Sequence, residues 1–211
     1  MQQSIHIVMI EQEMIVVWNN NNRSLMDSGD WRMNACLHFQ SDMSYGYING
    51  YRRAGRILYE YLIRSDMNLD SLVYPVIFSY RHHFEIQLKK ILGIGLALLE
   101  MNEGVGTHHN IITLWSRIRV ILKKIYGNDR TDYIESIEKY LTELHALDPS
   151  GTEFRYHRKM DSSLSLVGIR NINLSNVVEI LEELADCIDG IASDFDHKFD
   201  IQCEMRSYSR M

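Results

Sequence analysis

The chain has 211 residues, of which 45% are hydrophobic, and a formal net charge of −6. This length suffices for one substantial hydrophobic core, and because no Pro-, Gly- or Ser-rich linker interrupts the chain we expect a single domain. The negative charge excludes a uniformly basic nucleic-acid-binding surface but is compatible with a local basic patch.

We find no membrane or secretion signal in the sequence. No apolar run approaches the ~20 residues of a membrane span, and the first residues lack a basic region followed by a cleavage site. The three cysteines are far apart and lack the spacing of a metal site or a disulfide framework. We therefore expect a cytoplasmic protein with reduced thiols and no membrane partner.

The N-terminal part of the chain shows no sustained helical period. Residues 1–18 are β-branched and apolar enough for a strand or hairpin, and the asparagines that follow favour a loop. We predict an irregular N-terminal segment over residues 1–44, a helical-bundle domain over residues 45–203 and a tail over residues 204–211. The predicted fold class is therefore mainly all-α.

The first predicted helix covers Tyr45–Arg64, because apolar residues recur there every three or four positions. Its arginines, Arg52, Arg53 and Arg56, are predicted to face outward into solvent.

The central helix is predicted over Leu72–Glu100, with Ser71 as its cap and Pro75 in its first turn. At 3.6 residues per turn one side of this helix is continuously apolar, which is typical of a segment packed inside a bundle. The stripe consists of Val73, Ile77, Tyr80, Phe84, Leu88, Ile91 and Leu92.

A polar wedge formed by Arg81, His82, Glu85 and Lys89 lies beside this stripe. Glu85 is spaced i,i+4 from both cations, so its carboxylate is predicted to stay ionised. The histidine adds a side chain that titrates near neutrality. The wedge is interpreted either as part of a functional site or as a solvated charge ladder on a helix surface.

The next helix is predicted over Asn110–Tyr126, and His108 and His109 precede its first turn. A helix N-terminus disfavours a cationic imidazole, so a neutral histidine that can act as an acceptor or base is expected there. A polar cap beside Thr107 is the alternative interpretation.

A fourth helix is predicted to open at Asp132 in capping-box fashion with Glu135 and to end at Asp148-Pro149. An insertion over residues 148–174 separates it from the last predicted helix. Alternation in residues 153–158 and 164–169 predicts a small β-hairpin within it. Long loops on a rigid scaffold often carry functional groups, which draws attention to Arg155, Tyr156 and His157. The last helix follows, with its acidic residues predicted to face solvent.

Common catalytic signatures are missing from the sequence, including GxxxxGK[ST], GxGxxG, HExxH, paired CxxC and GxSxG. A metal site is the remaining cofactor hypothesis, and its candidate ligands are His82, His83, Glu85, His108 and His109. Di-iron bundles use Glu-x-x-His from two helices, whereas here His82 precedes Glu85 and no second copy exists. We therefore predict no metal and no cofactor.

Three short patterns occur in order along the chain: RHHFEIQLK from Arg81, HNIITLW from His109 and DPSGTEFRY from Asp148. Together they resemble a group of bacterial helical proteins related to the HEPN superfamily, a helical-bundle fold found in toxin–antitoxin and antiviral systems. The resemblance covers roughly residues 45–195 and implies a HEPN-like antiparallel bundle with a β-hairpin insertion.

The resemblance also implies a function. Many HEPN proteins are metal-independent ribonucleases that dimerise and bring two Arg/His motifs together, so we expect RNA or a nucleotide as ligand, a homodimer, and an antitoxin or defence-system partner. The family's nuclease motif is an Arg and a His separated by four to six residues, and only Arg32 and His38, which precede the bundle, match that spacing. The motif carried over is instead the wedge together with groups that would converge on it. The candidate catalytic residues are Arg81, His82, Glu85 and His109, and the candidate substrate-binding residues are Lys89, Arg155 and Tyr156.

Two functions follow from this set. In the first, His82 or His109 takes the proton of a ribose 2′-hydroxyl while Arg81, Lys89 or Arg155 stabilises the charge on phosphorus, with Glu85 orienting a cation. In the second, a non-catalytic module binds RNA, a nucleotide or a partner protein through the same groups.

Overall fold

The computed structural model describes residues 6–10, 13–17, 29–38, 40, 42–65, 67–127 and 131–208. The chain divides into two compact units, residues 1–41 and residues 42–211. The rest of the predicted N-terminal loop, residues 18–28, lies outside the described residues, as do residues 209–211 of the predicted tail.

The first unit contains an antiparallel hairpin of β1 (His6–Ile10) and β2 (Glu13–Val17). The strands pair from His6 opposite Val17 to Ile10 opposite Glu13. A single 3-10 turn, Trp31–Met33, follows, and the Asp30 side chain caps it by accepting a hydrogen bond from the backbone N–H of Arg32.

The second unit is a helical bundle, which confirms the mainly α-helical fold. Its helices are α1 (Ser44–Ser65), α2 (Leu69–Leu98), α3 (Ile111–Tyr126), α4 (Thr131–Leu147) and α5 (Leu174–Tyr208). The long α2 packs against α1, α3 and α5, while α4 packs against α3 and α5. Within the described residues, none of the helices is both long and apolar enough to cross a bilayer.

The core is built on the predicted apolar stripe of α2. Ile77, Tyr80, Phe84, Leu88 and Ile91 are all fully buried, which removes their apolar surface from water and supplies the main driving force for packing. Facing side chains of the other helices complete this core, among them Leu114, Trp115, Ile118, Leu141, Ile188 and Phe195.

Helix boundaries depart from prediction at two places. α2 begins at Leu69 after Asn68, which adopts a left-handed conformation (φ 68°), so Pro75 lies inside the helix and not in its first turn. α5 continues through residues 204–208, which the sequence assigned to a tail.

A polar layer joins α1, α2 and α5, and it corrects the predicted outward orientation of Arg52 and Glu182, whose side chains are only 14% and 18% exposed. Arg53 and Arg56 are exposed, as predicted. Arg52 forms ion pairs with Glu182 (2.6 Å), Asp186 (2.6 Å) and Asp189 (2.8 Å). We call these four residues, together with Arg56, Tyr80 and Gln87, the Arg52 layer. The other three bind its acids: Arg56 and the Tyr80 hydroxyl each donate to Glu182 at 2.6 Å, and the Gln87 amide donates to Asp189 at 2.5 Å.

The predicted hairpin in the insertion does not form. Residues 148–173 form turns, with one isolated antiparallel bridge between Arg158 and Leu164. The alternation that suggested two strands reflects a different arrangement, in which Phe154 is buried in the core and Glu153 is buried beneath the turns. Alternating polarity alone does not supply a partner strand for each edge.

Candidate functional site

A tight turn at the start of the insertion covers the polar wedge of α2. Asp148 is fully buried, and its Oδ1 accepts hydrogen bonds from the backbone N–H groups of Thr152 (2.8 Å) and Glu153 (3.0 Å). Gly151 has φ +74°, a conformation that L side chains rarely adopt. A Cβ on Gly151 would lie 3.8 Å from Glu85 Oε2, so the backbone of the turn passes directly over Glu85.

Arg81 is the hydrogen-bonding centre beneath this turn. Its Nε donates to the carbonyl oxygen of Asp148 (3.2 Å), its Nη2 to the carbonyl oxygen of His109 (2.7 Å), and its Nη1 lies 3.4 Å from Glu85 Oε2. Its side chain is only 1% exposed. The guanidinium therefore ties together α2, the loop before α3 and the end of α4, and it cannot reach a substrate.

Glu85 is buried among three cationic or hydrogen-bonding side chains. Its Oε1 accepts from Lys89 Nζ at 2.8 Å and from His109 Nδ1 at 2.7 Å, while Oε2 faces Arg81. Burial by itself raises the pKa of this carboxyl, but the hydrogen bonds from Lys89 and His109 outweigh burial and hold the pKa below its ordinary value. Glu85 is therefore a carboxylate at neutral pH.

His109 is the part of this network that reaches solvent. Its side chain is 66% exposed, whereas that of Glu85 is 5% exposed. Because ionised Glu85 can only accept, the short contact places a proton on His109 Nδ1, and in the neutral ring Nε2 then carries the lone pair. Nε2 has no hydrogen-bond partner among the described residues. The pair is thus a buried carboxylate holding an exposed imidazole in one tautomer, an arrangement that suits a general base.

The position of His109 is set by the start of α3. Asn110 caps this helix by accepting hydrogen bonds from the backbone N–H groups of Ile112 and Thr113, both at 3.0 Å. With Asn110 as the cap, His109 is the residue just before it, and its carbonyl oxygen is held by Arg81. The alternative interpretation of His109 as a polar cap does not apply, since Asn110 fills that role.

Lys89 lies at the edge of the buried network. Its Nζ is bound to Glu85, and its side chain is 26% exposed. An ammonium group in this position is available to an anion that approaches His109.

His82 does not join the Glu85 network. Its ring packs edge-on against Tyr51 of α1, with centroids 4.4 Å apart, and stacks on Phe78 at 5.6 Å. Burial lowers the pKa of His82, and the neighbouring cation Arg155 acts in the same direction. The ring is thus a neutral member of an aromatic cluster between α1 and α2.

Arg155 lies on the other side of the same cluster. Its guanidinium carbon is 5.4 Å from the Phe78 ring centroid and 5.3 Å from that of Tyr156, and its Nε donates to the Gly151 carbonyl oxygen at 2.7 Å. Both contacts are cation–π interactions. Arg155 and Tyr156 line an open groove of about 860 Å³. None of Arg81, His82, Glu85, Lys89 and His109 lines that groove.

The structure therefore groups the predicted residues in two sets. Arg81, Glu85, Lys89 and His109 form one connected network, while Arg155 and Tyr156 line a groove that none of these four residues lines. The interpretation of the wedge as a solvated charge ladder does not hold for Arg81 and Glu85, because the turn at residues 148–153 buries both side chains.

Of the five residues of the metal hypothesis, Glu85 and His109 are in contact, whereas His82 and His83 have separate environments. His83 Nδ1 contacts the Ile48 carbonyl oxygen at 3.0 Å, on the face of α2 opposite Glu85, and His82 is stacked on Phe78. Within the ranges that the structure describes, no three His, Cys, Asp or Glu side chains group in a way that could hold a metal ion.

In the sequence, Asp148 and Gly151 were noted only as part of the DPSGTEFRY pattern, and no role was predicted for either residue. Their signal was present: an Asp-Pro-Ser-Gly run after a helix is typical of a side-chain-stabilised turn that ends on a left-handed residue. His145 was not predicted at all, and its Nδ1 is buried without a hydrogen-bond partner among the described residues. Burial lowers the pKa of His145, and so does nearby Arg81.

The chain was compared with family models, curated proteins and solved structures. No family model matches it, and no match was found among the curated proteins or the solved structures.

Proposed function

We propose that the protein is a HEPN-like, metal-independent ribonuclease in which His109 is the general base. The observation that carries this proposal is the 2.7 Å contact between buried Glu85 and exposed His109, which leaves Nε2 of the imidazole free to take a proton. The proposal narrows the catalytic role expected for the polar wedge to the one imidazole that solvent can reach.

The reaction has a defined proton balance. His109 Nε2 takes the proton of a ribose 2′-hydroxyl, the 2′-oxygen attacks the adjacent phosphorus, and the bond to the 5′-oxygen breaks. The leaving 5′-oxygen takes a proton from solvent, so the products carry a 2′,3′-cyclic phosphate and a 5′-hydroxyl. Lys89 binds the same Glu85 oxygen as His109 and keeps exposed surface, and it is proposed to stabilise the charge that develops on the phosphoryl oxygens.

Arg81 and Glu85 act as positioning residues in this mechanism. Glu85 fixes the tautomer of His109 and stabilises the imidazolium that forms, as a carboxylate does behind the histidine of a hydrolytic triad. Arg81 fixes the backbone of His109. Neither side chain is proposed to touch RNA, since both are buried.

The test measures the rate at which the full chain cleaves a 5′-labelled RNA in the presence of a metal chelator. The same rate is measured for His109→Ala. General-base catalysis contributes about 10²- to 10⁴-fold, so the variant should lose at least about a hundredfold in rate. His197→Ala is the matched control, because His197 is exposed on α5 and outside the network. Equal cleavage by wild type and His109→Ala, or no cleavage of any RNA by the wild type, would rule the mechanism out.

A second candidate function is a non-catalytic module that binds RNA, a nucleotide or a protein. It is favoured by the burial of Arg81 and Glu85, which withdraws two of the four expected catalytic side chains from solvent. Filter binding distinguishes the two functions. A pure binding module would retain RNA without cutting it, and His109→Ala would weaken its affinity because the module binds through the same groups.

The resemblance to the HEPN superfamily is also the basis for proposing an oligomeric state and a cellular role. We propose a cytoplasmic homodimer of antiparallel bundles that acts in a bacterial defence or toxin–antitoxin system together with an antitoxin or defence protein. Sedimentation equilibrium of the purified chain tests the dimer, and a monomer at all concentrations would contradict it.

A further inference from the structure

The groove beside the insertion is a second candidate site, independent of the Glu85–His109 pair. One wall is the start of α2, with Asp70 and Tyr74, and the other is the insertion, with Arg155, Tyr156 and Arg170. Its volume of about 860 Å³ lies within the range of small-molecule sites. The residues of the Glu85 network do not line it, so a ligand here would not displace His109.

The insertion wall is held in shape by buried polar contacts. Glu153 is buried, its Oε2 accepts from the backbone N–H of Leu166 at 3.1 Å, and its Oε1 pairs with Lys159 at 2.9 Å. The backbone N–H groups of Arg155 and Tyr156 both donate to the Thr152 carbonyl oxygen at 3.1 Å. A wall fixed in this way needs little reorganisation to bind a ligand.

Two aromatic side chains offer exposed ring surface to the groove. Tyr156 is 57% exposed and Tyr74 is 45% exposed, although each lines the groove. The Tyr74 ring contacts the buried ring of Phe154, with centroids 6.5 Å apart, and this contact helps to hold Tyr74 in place. Exposed tyrosine faces on a fixed wall are stacking surfaces for planar ligands such as nucleobases.

The arginines that line the groove have N–H groups that no described residue binds. The Nε of Arg155 donates a hydrogen bond to the Gly151 carbonyl oxygen, and its Nη groups make no hydrogen bond to a described residue. Arg170 makes no ion pair or hydrogen bond within the described part of the chain. The charge of Glu153 is offset by Lys159, so Asp70 is the only carboxylate of the lining that no described cation pairs with. Two arginines against one free carboxylate favour an anion, and arginine binds phosphate through paired N–H groups.

We propose that this groove binds a nucleoside monophosphate, with the base stacked on Tyr156 or Tyr74 and the phosphate bound by Arg155 and Arg170. Asp70 is an acceptor for ribose hydroxyls or an exocyclic amine. Phosphate alone would leave the aromatic surface uncovered, and an uncharged nucleoside would leave the arginines unused. The nucleoside phosphate is either a free nucleotide or the phosphorylated end of an RNA, and both present the same chemistry.

Calorimetric titration of the full chain tests the ligand. AMP and UMP are compared with adenosine, with inorganic phosphate, and with 2′-O-methyl tetranucleotides that carry a 5′-phosphate or a 5′-hydroxyl. The methylated oligonucleotides lack the 2′-hydroxyl that the proposed cleavage uses, so binding is read even if the protein cleaves RNA or has no ribonuclease activity. AMP should bind at least about tenfold more tightly than either adenosine or phosphate, because it alone engages both surfaces.

Two variants test which side chain contacts the phosphate and which contacts the base. Arg170→Ala should weaken AMP binding about tenfold and leave adenosine binding unchanged, whereas Tyr156→Ala should weaken both by a similar factor. Arg53→Ala, an exposed arginine of α1 outside the groove, is the matched control. Arg155 is left intact because its bond to Gly151 also supports the turn.

The outcomes are distinct. Tighter binding of the 5′-phosphorylated than of the 5′-hydroxyl tetranucleotide identifies an RNA end as the ligand, and binding of AMP without either oligonucleotide identifies a free nucleotide. The proposal is overturned if AMP does not bind at millimolar concentration, if phosphate binds as tightly as AMP, or if Arg53→Ala weakens binding as much as Arg170→Ala does.

Discussion

The Nη2 atom of Arg81 on α2 lies 2.7 Å from the carbonyl oxygen of His109, the residue before the Asn110 cap of α3. The side chain also reaches the carbonyl oxygen of Asp148 at the end of α4. One buried guanidinium therefore fixes three segments that are distant in sequence, and much of the geometry of the candidate site depends on it.

We expect Arg81→Met to be strongly destabilising. Removing one partner from a buried ion pair typically costs about 3–5 kcal/mol, because the remaining groups lose their compensation. The measurement is the free energy of unfolding in urea. Arg64→Met is the control, since Arg64 is 80% exposed and lies 3.6 Å from Glu60 in a surface pair of the same kind. Such pairs contribute about 0–1 kcal/mol. Equal effects of the two substitutions would contradict the role assigned to Arg81.

The two glycines near the end of α2 should respond in opposite directions to alanine. A Cβ on Gly95 would lie 2.8 Å from Phe195 Cε2 and 3.0 Å from Ile121 Cγ2, so Gly95→Ala overpacks the contact of α2 with α3 and α5. Overpacking typically costs about 1–3 kcal/mol. At Gly93 the nearest atom, Val105 Cγ2, would be 3.5 Å away, which is an ordinary contact. Gly93→Ala should therefore stabilise the helix by about 0.5–1 kcal/mol. Thermal and urea unfolding of both variants provide the comparison, and stabilisation by Gly95→Ala would contradict the packing described.

The Glu85 carboxylate should make stability depend on pH in acid. Burial opposes ionisation, but Lys89 and His109 hold the pKa of Glu85 below its ordinary value, so the folded state binds this proton less readily than the unfolded chain does. The resulting stabilisation is complete above the ordinary pKa and is lost as the pH falls through the folded pKa. Arg81 also faces this carboxyl group, with its Nη1 3.4 Å from Glu85 Oε2.

Glu85→Gln removes that contribution. The difference in free energy of unfolding between wild type and Glu85→Gln should therefore be largest near neutral pH and shrink below about pH 4. Glu143→Gln, at an exposed position of α4, supplies the comparison and should show no such trend. A difference that grows as the pH falls would reverse the sign assigned here.

Lys89 and Lys90 are adjacent but should differ in their effect on RNA. Lys89 is bound to Glu85 at 2.8 Å, whereas Lys90 lies 3.3 Å from Asp196 of α5, and the two side chains are 26% and 25% exposed. If Lys89 stabilises transition-state charge, Lys89→Met should lower the cleavage rate by about 10²-fold. Lys90→Met makes the same change of charge and should leave the rate within a factor of two. Equal losses in the two variants would indicate a general effect of charge.

The helical skeleton was predictable because it depends on local periodicity. The apolar stripe of α2 is buried as predicted, and α1 begins and ends within one residue of its predicted bounds. The network of Glu85 with Arg81 and Lys89 was also predictable in part, since all three are spaced by four on one helix.

Contacts between distant segments were not predictable in this way. The burial of Arg81 depends on a turn 67 residues further along the chain. The pairing of Arg52 with Glu182 spans 130 residues, so neither helix alone indicated that its charged face was partnered. The hairpin prediction failed for a related reason, because the two alternating segments pair at a single bridge, Arg158 with Leu164, while Phe154 and Leu166 pack against the core.

The Arg52 layer has a consequence for how the helices align. Apolar faces alone tolerate a slide of one helix past another by one turn, about 5.4 Å, since Leu and Ile replace one another at similar cost. Such a slide would carry Arg52 away from its contacts with Glu182, Asp186 and Asp189, and it would leave the mostly buried charges of Arg52 and Glu182 unpaired with each other. The layer thus penalises neighbouring alignments of α1 and α5 far more than it strengthens the native one. Its replacement by hydrocarbon side chains of equal size should yield a chain that is still compact but no longer confined to one helix arrangement.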